Sequence, residues 1–185
     1  LVACSGGGGG DSAEGVEPGP PPPNGPVDPP PPEFPEFVPQ PYAEAEQLVA
    51  TITNVALNGD NQAVVDFQLT DGKYVAIVDL TDANVRFVIA KLMGSDLGSQ
   101  TGTWQSYVNR IEQAGSVGPG TEDKLQAYYE STRSSFGFGE LTNNGDGTYR
   151  YTFLASLTNL PQEWYDQAAV EGLDLSFESG RTHRV

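Results

Sequence analysis

One thiol, Cys4, and one imidazole, His183, are the only Cys and His in 185 residues. A lone Cys excludes an internal disulfide, a CxxC redox pair and a thiolate zinc cluster. A lone His excludes a multi-His metal site. An imidazole suits iron, so His183 has one conceivable use as an axial ligand to a haem held outside this chain. The plainer reading, adopted here, is a strand-end His at a domain junction. The acid pairs Glu122-Asp123 and Glu163/Asp166 hint at glycoside hydrolysis. That chemistry needs two carboxylates facing each other across a cleft, which neighbours in sequence do not establish. They read as solvated or helix-start acids. Asn58-Gly-Asp-Asn61 and Asn143-Asn-Gly-Asp-Gly147 carry side-chain oxygens that suit Ca²⁺. An EF-hand loop needs acids at set offsets and a closing Glu, which neither has. Both read as hairpin turns, because Asn, Asp and Gly tolerate positive φ. Trp104, Tyr107, Tyr128, Tyr129, Trp164 and Tyr165 offer the material of a sugar-binding platform, but in a β domain such aromatics read as core. No catalytic residue and no metal site is assigned.

The elements that position these residues lie in two unlike pieces. Thirteen of the 15 prolines fall between Pro18 and Pro41, and no base occurs before Lys73. Residues 1–47 are expected to be a disordered Gly/Pro-rich acidic tether, with too few apolar side chains to offset an ordering cost of about 1–2 kcal/mol per residue. Gly6–Gly10 reads as flexible coil, and Pro20–Pro23 and Pro29–Pro32 as polyproline II. The whole chain has 9 Lys+Arg against 25 Asp+Glu, a net charge of −16. Nucleic acid is excluded as a partner, because gripping phosphates needs Lys and Arg. An electrostatic hold on anionic lipid is excluded likewise.

Residues 48–185 read as one β domain. Period-2 alternation or β-branched enrichment predicts strands over 48–57, 63–69, 74–80, 85–92, 104–110, 140–142, 148–154 and 173–177. Residues 125–130 fit a strand or a short helix. Ala63, Val65, Phe67 and Leu69 fall on one face. Pro161–Val170 is the one helical candidate, with Pro161 at its start and Gly172 past its end. The fold class is therefore all-β, a Greek-key sandwich or barrel with at most one short helix. No apolar run reaches the ~20 residues of a membrane span.

The ends carry further signals. Leu1-Val-Ala-Cys4-Ser5 resembles the bacterial lipobox, in which the Cys is lipidated and becomes the mature N-terminus. Cys4 is expected to be that lipidation site and to tie the chain to a membrane. Acyl burial contributes ~0.8 kcal/mol per CH₂. Ser5, rather than Asp, after the Cys favours the outer membrane. Arg181-Thr-His-Arg-Val185 does not read as a natural stop, so more chain is expected beyond it.

Phe138-Gly-Glu-Leu-Thr142, Asn144-Gly-Asp-Gly-Thr-Tyr-Arg-Tyr-Thr-Phe153, Thr182-His-Arg-Val185, Tyr129-Glu-Ser131 and Trp104-x-x-Tyr107 together resemble the N-terminal domain of the OmcA/MtrC family of outer-membrane decahaem cytochromes. The resemblance covers roughly residues 48–185 and implies a haem-free split β-barrel, ahead of a multihaem domain with CxxCH motifs. This chain has no CxxCH, so no haem residue carries over, and haem c is expected only in a following part. The resemblance further implies a surface lipoprotein on the extracellular face, a porin–cytochrome complex as partner, and a role in extracellular electron transfer belonging to the full protein. On that reading the chain is not an enzyme. The alternative is an independent surface lipoprotein with an adhesin-like or carbohydrate-binding β-sandwich.

Overall fold

A computed structural model describes residues 38–94, 102–115 and 120–185. The strands are β1 (Val49–Leu57), β2 (Gln62–Thr70), β3 (Ala90–Met93), β4 (Thr103–Ser106), β5 (Asn109–Glu112), β6 (Lys124–Ala127), β7 (Glu140–Asn143) and β8 (Thr148–Ser156). After them come the helix α1 (Gln162–Glu171) and the short strand β9 (His183–Arg184). The strands pair antiparallel in three sheets, ordered β1-β2-β8-β7, β4-β3-β9 and β5-β6. The described residues are thus mostly β with one α-helix, as their pattern predicts.

Strand alternation builds the core. On β2, Ala63, Val65, Phe67 and Leu69 are buried, and on β8 Tyr149, Tyr151, Phe153 and Ala155 are buried. Side chains two apart along a strand share a face, so both rows point to one side of the sheet. Phe87 stacks on Tyr151 with ring centroids 3.6 Å apart, and Phe67 stacks on Tyr149 at 5.3 Å. α1 closes the core with Trp164 and Ala168, one turn apart on the same face. Pro161 precedes its first turn. Gly172 ends it at φ 69°, in the left-handed region where glycine lacks the Cβ penalty.

The two hairpin turns form as the sequence implies. The Asn58 side-chain oxygen accepts from the Asp60 and Gln62 amides at 3.0 and 2.9 Å, joining β1 to β2. Gly145 and Gly147 adopt φ 81° and 85° between β7 and β8. A Cβ on Gly147 would also sit 2.8 Å from the Ala76 Cβ.

Several expected strands take another form. Residues 74–80 are irregular, with only isolated bridges at Ala76 and Ile77. Distant side chains satisfy part of that backbone: the Tyr149 hydroxyl donates to the Ile77 carbonyl at 2.7 Å, and the Asn143 amide donates to the Val78 carbonyl at 2.7 Å. Of 85–92, only the end is regular strand, with one further bridge from Phe87 to Glu130. The stretch 104–110 breaks into β4 and β5. Ser106 and Asn109 turn their side chains onto the Val108 and Ser106 carbonyls, which competes with the ladder. Residues 125–130 resolve as strand, over β6. Residues 173–177 pair with no strand among the described residues.

Ordered contacts reach back before Leu48. Gln40 bridges Ile77, and its amide donates to the Ala76 carbonyl at 3.0 Å. A 3₁₀ turn over Tyr42–Glu44 follows, with the Tyr42 amide donating to Asp79 at 2.7 Å. No helix among the described residues is long and apolar enough to cross a membrane.

Candidate functional site

His183 lies on β9, which pairs with β3 through Ala90↔Arg184 and Lys91↔His183. Its Nε2 shares a hydrogen bond with the Tyr107 hydroxyl at 3.1 Å, and its ring packs against Tyr107 and Phe177 at 5.8 and 5.4 Å. Tyr107 is fully buried, and burial pushes its phenol up to about 12. The Nε2 of His183 is thus engaged with Tyr107 inside the domain.

Behind this ring cluster sits Lys91, fully buried. Its Nζ donates to the Ser176 carbonyl at 2.5 Å and pairs with Glu178 and Asp174 at 3.1 and 3.5 Å. Both acids are held below the usual carboxylate range. For Glu178 the leading cause is its hydrogen bond from Arg181, followed by that from Lys91. For Asp174 it is the Ser176 amide. Lys91 fastens the 174–178 segment to β3. Nothing in its local sequence, a strand-like run of Val, Ile and Ala, distinguishes it from a solvated strand Lys.

Glu130 is the second buried charge. It has no exposure, and its two carboxylate oxygens accept from the Tyr151 hydroxyl at 2.6 Å and the Leu154 and Ala155 amides at 2.8 Å each. Burial lifts its carboxyl above the ordinary range, and these donors oppose the lift without cancelling it. Burial, then the hydrogen bond to Glu130, pushes the Tyr151 phenol far up. Tyr151 also accepts from the Gly139 amide at 2.8 Å. The network ties the end of β8 to the segment after β6.

The other candidates are dispersed. Tyr107 and Trp164 are core, whereas Trp104 is 38% exposed under the Arg184 guanidinium, 4.3 Å from its ring centroid. Tyr128 and Tyr129 stack at 4.5 Å, and Arg110 and Arg86 lie over their respective rings at 4.8 and 4.7 Å. Tyr165 is half-buried on α1. These six aromatics make no common platform. Glu122 pairs with Lys124, and Asp123 accepts from the Ala114 amide. Asp166 accepts from Gln162 within α1, and Glu163 stands exposed in its first turn. Neither acid pair spans a cleft. In the Asn143–Gly147 turn, Asn143 and Asp146 spend oxygens on the Gly145 and Thr148 amides. Among the described residues no group of three or more His, Cys, Asp or Glu is placed to hold a metal ion.

Cys4, the expected lipidation site, lies outside the described residues. Covalent haem attachment needs two thiols and a His in CxxCH. With one thiol and a His bonded to Tyr107, the residues present do not fit that group.

Comparison with known proteins adds the relatives. Residues 49–164 match the family model of the OmcA-like N-terminal domain. The crystal structure of the outer membrane decaheme cytochrome OmcA is similar, with a TM-score of 0.55 and 24% identity over 77% of this chain and 20% of that one. That of MtrC from Shewanella baltica OS185 has a TM-score of 0.44 and 16% identity over 74% and 17%. No curated protein sequence matches. The chain therefore spans about a fifth of the length of the OmcA structure it resembles.

Proposed function

Because this chain belongs to the OmcA-like N-terminal domain family, we propose that it is the haem-free N-terminal module of a longer cell-surface multihaem cytochrome. Its work is structural: it places and orients a haem-bearing part that follows, and electron transfer to external acceptors belongs to the whole protein. The observation that carries this reading is the family match over 49–164, in a chain equivalent to a fifth of a decahaem cytochrome. The buried charges support it, because Lys91 and Glu130 serve packing and face no cleft. The outer-membrane location, and attachment through a lipid on Cys4, belong to the same proposal.

The test has two arms. Residues 1–185, made in a host that matures c-type cytochromes, should show no Soret absorbance, whereas the full-length product of the gene should show several haems per chain. A stoichiometric haem signal from residues 1–185, or a gene without CxxCH codons after Val185, would refute the proposal. Cys4→Ala should move the protein from the membrane fraction to the soluble one.

A further inference from the structure

Among the described residues, the core-facing row of β1 is left uncovered. Ala50 lies opposite Leu69 and Ile52 opposite Phe67. Past a bulge, Val55 lies opposite Val65 and Leu57 opposite Ala63. Directly opposed residues share a sheet face, so these side chains point the way the core does. Their β2 partners are buried, yet Ile52, Val55 and Leu57 are 47%, 52% and 42% exposed. The outer edge of β1 makes no backbone hydrogen bond among the described residues. The strand VATITNVAL also lacks the Lys or Pro that blunts a natural edge.

Across from this edge stands a second unpaired one. An apolar groove of about 430 Å³ runs between Ala50 and Ile52 on one wall and Val85 and Phe87 on the other, with Val185 lining it too. The Phe87 amide and carbonyl are both bonded to Glu130. Backbone groups of successive residues in an extended strand point to alternate edges, so those of Arg86 and Val88 face away from Glu130. There they meet no backbone partner among the described residues. β9 approaches along a continuation of this segment, antiparallel, through Ala90↔Arg184. A chain carrying on past Val185 in that register comes alongside Val88 and then Arg86. Val185 already packs on the core.

We propose that this groove is a strand slot, filled by the segment that continues β9 past Val185 in the longer polypeptide. That segment pairs with Arg86–Val88 on one side and β1 on the other, and sets apolar side chains into the groove at every second position after Val185. It joins the β4-β3-β9 sheet to the β1-β2-β8-β7 sheet and closes the barrel. The domain's core is then completed by the polypeptide that leads to the next domain, which fixes one on the other. This rests on the reading of the chain as part of a longer protein.

Hydrogen exchange tests it, comparing residues 1–185 with the full-length polypeptide. Amides of β1 and of Arg86–Val88 should exchange at least about tenfold more slowly in the longer chain, with β2 and β8 little changed. In the longer chain Val88→Pro removes one donor on the slot side only. It should speed β1 exchange and leave the Phe87–Glu130 amides protected. Unchanged β1 exchange on lengthening overturns the proposal. So does full β1 protection in residues 1–185, which would give the slot to the N-terminal segment or, if it depends on protein concentration, to a second copy. A reading frame that stops at Val185 removes the functional proposal as well. A frame that continues and leaves β1 unprotected removes the strand slot alone.

Discussion

Glu130 shows how one buried side chain sets the terms for its surroundings. It accepts three hydrogen bonds and gives none. Glu130→Gln keeps the shape and replaces one oxygen with a donor, so at least one of the facing donors is left unpaired. The expected loss is about 1–3 kcal/mol, measured by urea unfolding. Its pH dependence has a defined sign. Burial raises the folded-state pKa above the unfolded one, so the folded protein binds the proton more tightly. Wild-type stability from this group is full below the ordinary carboxylate range and falls as pH rises through the raised value. The gap between wild type and Glu130→Gln should therefore narrow as pH rises across that window. A gap that widens would show that the three donors outweigh burial. Tyr74 offers the opposite case, an exposed side chain at φ 67° in the turn after Asp71. Asn tolerates that conformation better, so Tyr74→Asn should raise stability by about 0.5–1 kcal/mol, read as a higher urea midpoint at constant slope.

At the scale of elements, what could be read from the sequence tracks how local its cause is. The β2 row, the two Asn/Gly hairpins and α1 between Pro161 and Gly172 each follow from residues within a few positions. The missing strand at 74–80 does not, because two of its carbonyls are satisfied by Asn143 and Tyr149, which lie far along the chain. Residues 173–177 show the same limit. Their alternation predicts a strand, and Leu175 is buried as alternation requires, but the Lys91 ammonium holds the Ser176 carbonyl in place of a neighbouring strand. Of the candidate site residues, the turns and the core places of Tyr107 and Trp164 were legible, whereas Trp104, expected in the core, is exposed beneath Arg184. The buried roles of Lys91 and Glu130 were not, since only tertiary partners distinguish them from surface charges. Lys91→Met removes the buried charge and leaves Asp174 and Glu178 partly in solvent, so the main loss is the partner of one carbonyl. The expected destabilisation is about 1–2 kcal/mol, with faster proteolysis between Leu173 and Arg181. A loss well above that would mean that the acids depend on Lys91 more than their exposure implies.

For the whole molecule, the question is where the folded domain begins. Residues 1–35 hold most of the prolines, five acids and no base, a composition with little apolar surface to bury. The described contacts start at Gln40, with its bond to Ala76, and continue through Tyr42, whose amide donates to Asp79 and whose hydroxyl accepts from Asn84 at 2.8 Å. Tyr42 and Ala45 also pack against the core cluster. Two truncations separate the pieces. A chain starting at Glu36 should melt within about 1–2 °C of residues 1–185, because it keeps every core contact of the described residues. A chain starting at Leu48 loses the Gln40 and Tyr42 hydrogen bonds and exposes Ile77 and its neighbours, which sums to about 2–3 kcal/mol. For a domain of this size that lowers the melting temperature by about 5–10 °C. Equal melting of both truncations would show that residues 40–47 lie on the domain without stabilising it. A large drop already at Glu36 would place part of the Pro-rich segment in the fold.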